Sequence, residues 1–200
     1  MRVSRTLIAL MAVIVIAFVV IGVRIVIWSG QTTDTGKGIP AIGGPFTLTD
    51  QTGKTVSDRD FRNRYMLIFF GYTYCPDVCP TTLSTVAGAL DKLGPTFASK
   101  VVPIFVTVDP ERDTPEVMKT YVEAFGPTIQ GLTGSPDDIA KVAKAFKVYA
   151  AKVKGDSPDH YTVDHSAILY LMGPDGRFIA HFTHGISVDE LVAGLKKYIG

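Results

Sequence analysis

Two cysteines separated by three residues, Cys75 and Cys79, lie in the run GYTYCPDVCP and are the only sulfhydryls of the chain. A pair at this spacing closes a loop either around a soft metal ion or through a disulfide, and thiolates select Cu(I) over hard cations. The run follows a continuously apolar stretch, 65–71 (YMLIFFG), and precedes a helical pattern over 81–93. The thiols therefore stand between a strand's carboxyl end and a helix's amino end. Unpaired backbone N–H groups and the positive end of the helix dipole stabilise a thiolate there. Cysteines so placed fall from a pKa of about 8.5 to between about 3.5 and 7.5. Pro80 suits the first helical position, which puts Cys79 at or just before the cap and Cys75 in the loop facing it. A third ligand would complete a trigonal site, and His165 in TVDHSAILYLMGPDG is the best supplier, expected at the start of a strand near the first helix. Imidazole fits copper in either oxidation state. Asp164 beside it, or Asp77 inside the cysteine loop, is placed to orient the imidazole or adjust the charge of the site.

Other polar residues carry less chemistry. His181 and His184 straddle Phe182, and three-residue spacing on a strand puts them on opposite faces, so a shared metal site involving them is not expected. The same holds for His160. Asp109, Arg112 and Asp113, in VDPERDTP, read as a capping and salt-bridge cluster that holds a loop beside the site. Two sulfur ligands are too few for a Cys₄ zinc or iron–sulfur site, and too few for a disulfide-stapled scaffold.

The elements that must position these groups alternate along the chain. A strand over 46–49 and a turn around Gly53 come first, then the buried strand 65–71, the helix 81–93 and a second buried strand, 101–109. Pro103 interrupts that strand, although proline prefers an edge or a bulge. Thr114 as N-cap with Pro115 behind it announces a helix over 115–125, and Ser135 with Pro136 announces another over 135–146. The latter has two acids in its first turn and Ile139, Val142, Ala143 and Phe146 on one face. Strands 165–171 and 177–182 flank the turn residues Gly173, Pro174, Asp175 and Gly176, and an amphipathic helix closes the chain at 188–199. A parallel βαβ unit followed by antiparallel ββα is the thioredoxin-like order, an α/β fold with a central mixed sheet flanked by helices.

The chain has 200 residues, 46% of them apolar, enough for one ordinary domain and a short appendage. Residues 7–23 carry no charge, and Ile25, Val26, Ile27 and Trp28 extend the run beyond Arg24. As a helix this segment measures roughly 26–31 Å, enough to span a bilayer. Arg2 and Arg5 precede it, and Arg24 and Trp28 suit its outer interface. The expected layout is a cytoplasmic N-terminus at 1–6, an uncleaved transmembrane anchor at 7–28, a Gly/Thr-rich linker at 29–40 and a globular domain at 41–200. A cleaved signal peptide is the rival, but it would end in small residues where Ile27 and Trp28 stand. The domain holds 16 basic and 18 acidic side chains, so it lacks the basic footprint that nucleic-acid binding requires.

GYTYCPDVCP, the VDPERDTP segment and DHSAILYLMGPDG, in that order after a single anchor, resemble the Sco/SenC family over about residues 40–200. The resemblance implies a membrane-tethered thioredoxin-fold protein that binds one copper through Cys75, Cys79 and His165. It also implies assistance in assembling the copper A centre of cytochrome c oxidase. The implied partners are the oxidase subunit bearing that centre and an upstream copper donor or thiol reductant. The expected location is the bacterial inner membrane with the domain in the periplasm; the alternative is the mitochondrial inner membrane facing the intermembrane space. Activity as a metallochaperone competes with thiol-disulfide reduction of the partner's copper-site cysteines, and with a redox or copper sensor using the same residues. A peroxidase of the same fold superfamily is a further option for which no residue cluster speaks. The Cys-x₃-Cys spacing departs from the Cys-x-x-Cys of thioredoxin-type redox motifs. Asp164, His165 and Ser166 stand where a thioredoxin has its cis-proline.

Overall fold

The computed structural model describes residues 42–157 and 160–200. The expected N-terminal segment, anchor and linker, 1–40, lie outside the described residues. Among the described residues no helix is long and apolar enough to cross a membrane.

The apolar run YMLIFFG becomes β3 (Tyr65–Gly71), buried at every position after the first. It is buried on both faces because its side chains alternate between two cores: Leu67 and Phe69 join one, and Met66, Ile68 and Phe70 the other. β3 pairs in parallel with β4 (Val101–Thr107) and antiparallel with β8 (Ile168–Met172). β5 (Gln130–Thr133) extends the sheet beyond β4, and β9 (Phe178–Thr183) extends it beyond β8. A hairpin of β1 (Thr47–Asp50) and β2 (Thr55–Ser57) completes a seven-stranded mixed sheet of order β2-β1-β5-β4-β3-β8-β9. Pro103 is tolerated in β4 because β5 begins to pair only at Ile104; at Pro103 the strand still has an unpaired edge.

Helices cover both faces. Helix α1 (Val78–Leu93) brings Leu83 and Val86 to the core that holds Phe69 and Phe105. A short turn of helix, α2 (Pro95–Ala98), follows it. Helices α3 (Pro115–Glu123) and α5 (Val188–Ile199) add Met118, Val122, Leu191 and Leu195 to the same core. Helix α4 (Pro136–Ala145) places Ile139 and Val142 in the other. The two expected caps form, with Thr114 accepting from the Val117 N–H and Ser135 from the Asp138 N–H, and at the last helix Ser187 builds a reciprocal box with Glu190.

The structure corrects two expectations near the thiols and the histidine. Helix α1 starts at Val78 with Asp77 as N-cap, so Cys79 is its second residue and Pro80 its third. Proline fits there because none of the first helical N–H groups has an intrahelical acceptor. His165 does not open β8. It ends β7 (His160–His165), which pairs with β6 (Ala150–Ser157) in a two-stranded ribbon separate from the main sheet.

Candidate metal centre

Cys79 is fully buried in the core beneath α1, while Cys75 is half-buried in the loop above it. The space for the Cys79 sulfur exists because residue 71 is glycine: a Cβ there would lie 2.5 Å from Cys79 Sγ and 2.8 Å from Phe105 Cε2. The Cys79 backbone N–H donates to Cys75 Sγ at 3.4 Å, so the start of the helix is aimed at the outer sulfur. His165 arrives from the ribbon, with Nε2 3.5 Å from Cys79 Sγ. Its ring stands edge-on to Phe69 and Tyr72, with centroids 6.1 and 5.8 Å away. Its Nδ1 lies 3.3 Å from the Ser166 carbonyl. A proton donated there leaves the Nε2 lone pair facing the sulfurs. The ligand atoms of Cys75, Cys79 and His165 all lie within 4.8 Å of one another.

The two thiols are electrostatically unequal. The Cys79 thiol donates to Cys75, and the Cys79 and Asp77 backbone N–H groups add to this, outweighing burial and lowering the Cys75 pKa from 9.0 to about 4. Cys79 is pushed up, first by giving its hydrogen to Cys75 and then by its burial. The resting dithiol thus carries one thiolate at the surface and one thiol below it. The three side chains combine two soft donors and one borderline donor, a set suited to Cu(I) and to Cu(II).

Asp77 caps α1 and accepts from the Thr81 hydroxyl at 3.3 Å. Asp164 is exposed and alternates away from His165 along β7; the ring nitrogen is engaged by Ser166 instead. His181 and His184 are exposed and stand apart from the cluster. The VDPERDTP loop does hold the surroundings together. Asp113 is fully buried, and its carboxylate accepts from the Thr73 N–H at 3.1 Å and from the hydroxyls of Thr73 and Thr107 at 2.6 and 2.5 Å. Burial pushes the Asp113 carboxyl up, against the pull of those three bonds. Thr73, two residues before Cys75, is thereby pinned to the end of β4. Gly71, Ser166 and Thr73 are site residues that residue type alone did not mark; Gly71 and Thr73 stand inside the cysteine motif itself.

The family model for SCO1/SenC matches residues 34–200. The chain belongs to the SCO1/SenC family. Among solved structures, this SCO1/SenC chain is similar to Bradyrhizobium japonicum ScoI with copper bound. The two are 51% identical with a TM-score of 0.74, over 80% of this chain and all of that one. Among curated proteins it is 39% identical to the human mitochondrial SCO1 homologue, over 81% of this chain and 54% of that protein. More distant is BsSco, described as carrying a disulfide switch and as a member of the Sco family of cytochrome c oxidase assembly proteins. It is 28% identical with a TM-score of 0.61, over 80% of this chain and 94% of that one. The chain spans about half the length of the curated relatives it matches first, 54% and 48%. The mixed sheet flanked by helices is the thioredoxin-like fold of these Sco structures.

Proposed function

We propose that this protein is a copper chaperone: it holds one copper ion as cargo on Cys75, Cys79 and His165 and passes it to the copper A centre of cytochrome c oxidase. The observation that carries this reading is the convergence of two sulfurs and one imidazole nitrogen within 4.8 Å, drawn from two different substructures. The copper-bound ScoI relative supports the choice of metal, and the Sco family's description as oxidase assembly proteins supports the destination. Release proceeds by ligand exchange. A ligand of the recipient enters the three-coordinate site before a cysteine leaves, so no bare ion forms. The half-buried Cys75 is the ligand a recipient reaches first.

The N-terminal apolar segment, read as an anchor with the domain outside the inner membrane, keeps the cargo near a membrane-bound oxidase subunit and raises its effective concentration there. Asp77, inside the cysteine loop, contributes charge at the rim of the site. The decisive experiment measures copper per chain for the reduced protein and for Cys75→Ser, Cys79→Ser and His165→Ala, followed by transfer to the metal-free copper A domain of an oxidase. One copper per chain, lost in the cysteine variants, weakened in His165→Ala and transferred in the wild type, is the expected result. Full retention in all three variants overturns the reading.

The unequal thiols favour a second reading, reduction of a disulfide in the recipient. The Cys75 thiolate attacks one sulfur of that disulfide and releases the other as a thiolate. Cys79 then gives up its proton and displaces the second, leaving two thiols on the recipient and a Cys75–Cys79 disulfide here. An upstream dithiol must restore the pair. Exchange that persists in His165→Ala with copper removed separates this activity from delivery.

A further inference from the structure

His165 reaches the thiols on a two-stranded ribbon outside the main sheet, and an isolated two-stranded hairpin is marginally stable in water. Something must therefore hold it. The bonds that do so converge on Arg112, in the loop between β4 and α3. The Arg112 Nη1 donates to the Tyr161 carbonyl of β7 at 3.0 Å, and its Nε donates to Asp109 Oδ2 at 2.5 Å. The Tyr161 hydroxyl closes the ring by donating to Asp109 Oδ1 at 2.8 Å. The guanidinium also lies 3.7 Å from the Tyr161 ring centroid, 4.8 Å from that of Tyr74 and 5.8 Å from that of Tyr72. Asp109 is fully buried, so its charge is compensated within this cluster.

The same guanidinium therefore touches both halves of the site. Tyr72 and Tyr74 bracket the residue that Asp113 pins, just ahead of Cys75, whereas Tyr161 belongs to the strand that ends in His165. Tyr72 makes a second link, since its ring also packs edge-on against His165. The neighbouring Lys152–Glu111 pair at 2.7 Å is exposed on both sides, and such pairs contribute little.

We propose that Arg112, fixed by Asp109 and Tyr161, is the positioning residue that docks the ribbon and so determines whether His165 reaches the thiol pair. Arg112 touches neither the cargo nor its ligands; it sets the population of the docked ribbon. This rests on the reading that copper is held by Cys75, Cys79 and His165. A lysine cannot replace it, because one ammonium cannot donate along two fixed directions while stacking on a ring.

The test compares wild type, Arg112→Ala, Arg112→Lys, Tyr161→Phe and His165→Ala as full chains. In the reduced, metal-free proteins, amide hydrogen exchange at Tyr161, Val163 and His165 accelerates about tenfold or more in Arg112→Ala and less in Tyr161→Phe. Amides of β3 and α1 keep their wild-type rates. With Cu(II) added, the nitrogen coupling in the electron paramagnetic resonance spectrum weakens in Arg112→Ala toward the His165→Ala pattern, while the sulfur-to-copper absorption band remains. Arg112→Lys restores little of either. Unchanged ribbon exchange together with an unchanged copper spectrum in Arg112→Ala overturns the proposal. So does acceleration spread evenly over β3 and α1, which marks general destabilisation. If Arg112→Ala does not fold, Arg112→Lys and Tyr161→Phe decide by the same two readouts. If instead wild type and His165→Ala give identical copper spectra, it is the three-ligand reading that fails, and the ribbon exchange still judges the role of Arg112.

Discussion

The two halves of the site are built differently. Cys79 and Cys75 stand at the junction of β3 and α1, where the inner sulfur is fully buried and the strand beneath it runs through the middle of the sheet. His165 comes from a ribbon outside the main sheet, docked through a polar cluster, with Val163 the buried apolar side chain among its described residues. The thiol half is therefore pre-formed by the core, whereas the histidine half depends on a few hydrogen bonds and ring contacts. The proposed carrier role fits this division, because it asks the protein both to hold and to surrender its cargo.

The largest effect expected from this comparison is on the thiol side. Spread over four ligands, the about 10–16 kcal/mol of a structural zinc site gives about 3 kcal/mol per ligand, or about 100-fold in affinity. Cys79→Ser should weaken Cu(I) binding by at least that factor in competition with a chelator. His165→Ala should cost less, because the sulfurs remain pre-formed without it. An equal loss in both would erase the distinction between the halves.

Gly71→Ala is the next sharpest probe, since it leaves every ligand in place and forces a methyl against Cys79 Sγ and Phe105. Overpacking of this kind costs about 1–3 kcal/mol, readable in chemical denaturation, and copper affinity should fall with stability. Unaltered binding would mean that the sulfur seat is softer than its burial implies.

The pH dependence separates the two sulfurs. Because the folded-state pKa of Cys75 lies at about 4, below its ordinary 9.0, its thiolate stabilises the fold fully above about pH 9, and that share is lost as pH falls toward 4. Cys79, whose pKa is raised, carries the opposite sign: its share is present below pH 9 and is lost as pH rises. The melting temperature of the reduced protein should thus fall more steeply from pH 8 to pH 5 than that of Cys75→Ser. Alkylation of the reduced protein should go to Cys75 and hold its rate down to about pH 5. Preferential labelling of Cys79 would reverse the assignment.

The smallest effect belongs to Asp164→Asn. The side chain is exposed on the face of β7 opposite His165, so copper affinity should change by no more than about twofold, as for surface substitutions within about 0.5 kcal/mol. A tenfold loss would give Asp164 a direct part in orienting the imidazole.

Much of the thiol half was legible in the residues. The apolar run YMLIFFG, the cysteine pair behind it and the helix pattern after it place the sulfurs at a strand-to-helix junction without any tertiary information, because burial of β3 on both faces leaves an unmistakable sequence signal. The Thr114 and Ser135 caps were legible for the same kind of reason: capping is a local bond between neighbours in sequence. The ribbon was not. β6 reads AAKVKGDS, with a single large apolar residue, and β7 contributes one buried valine, so neither strand shows the alternation that marks a sheet facing a core.

By itself, then, the sequence determined the fold order and the place of the thiol pair at a strand-to-helix junction, since each follows from local chemistry or from hydrophobic period, while the family was legible through the resemblance of three motifs. Tertiary structure alone decided that His165 closes a separate ribbon, that Gly71 makes room for a sulfur, and that the Asp109, Arg112 and Asp113 cluster, legible as holding a loop beside the site, also ties that loop to the ribbon. Those contacts join residues about 40 to 50 positions apart, and no local period or cap encodes a bond between groups that meet only after the chain has folded.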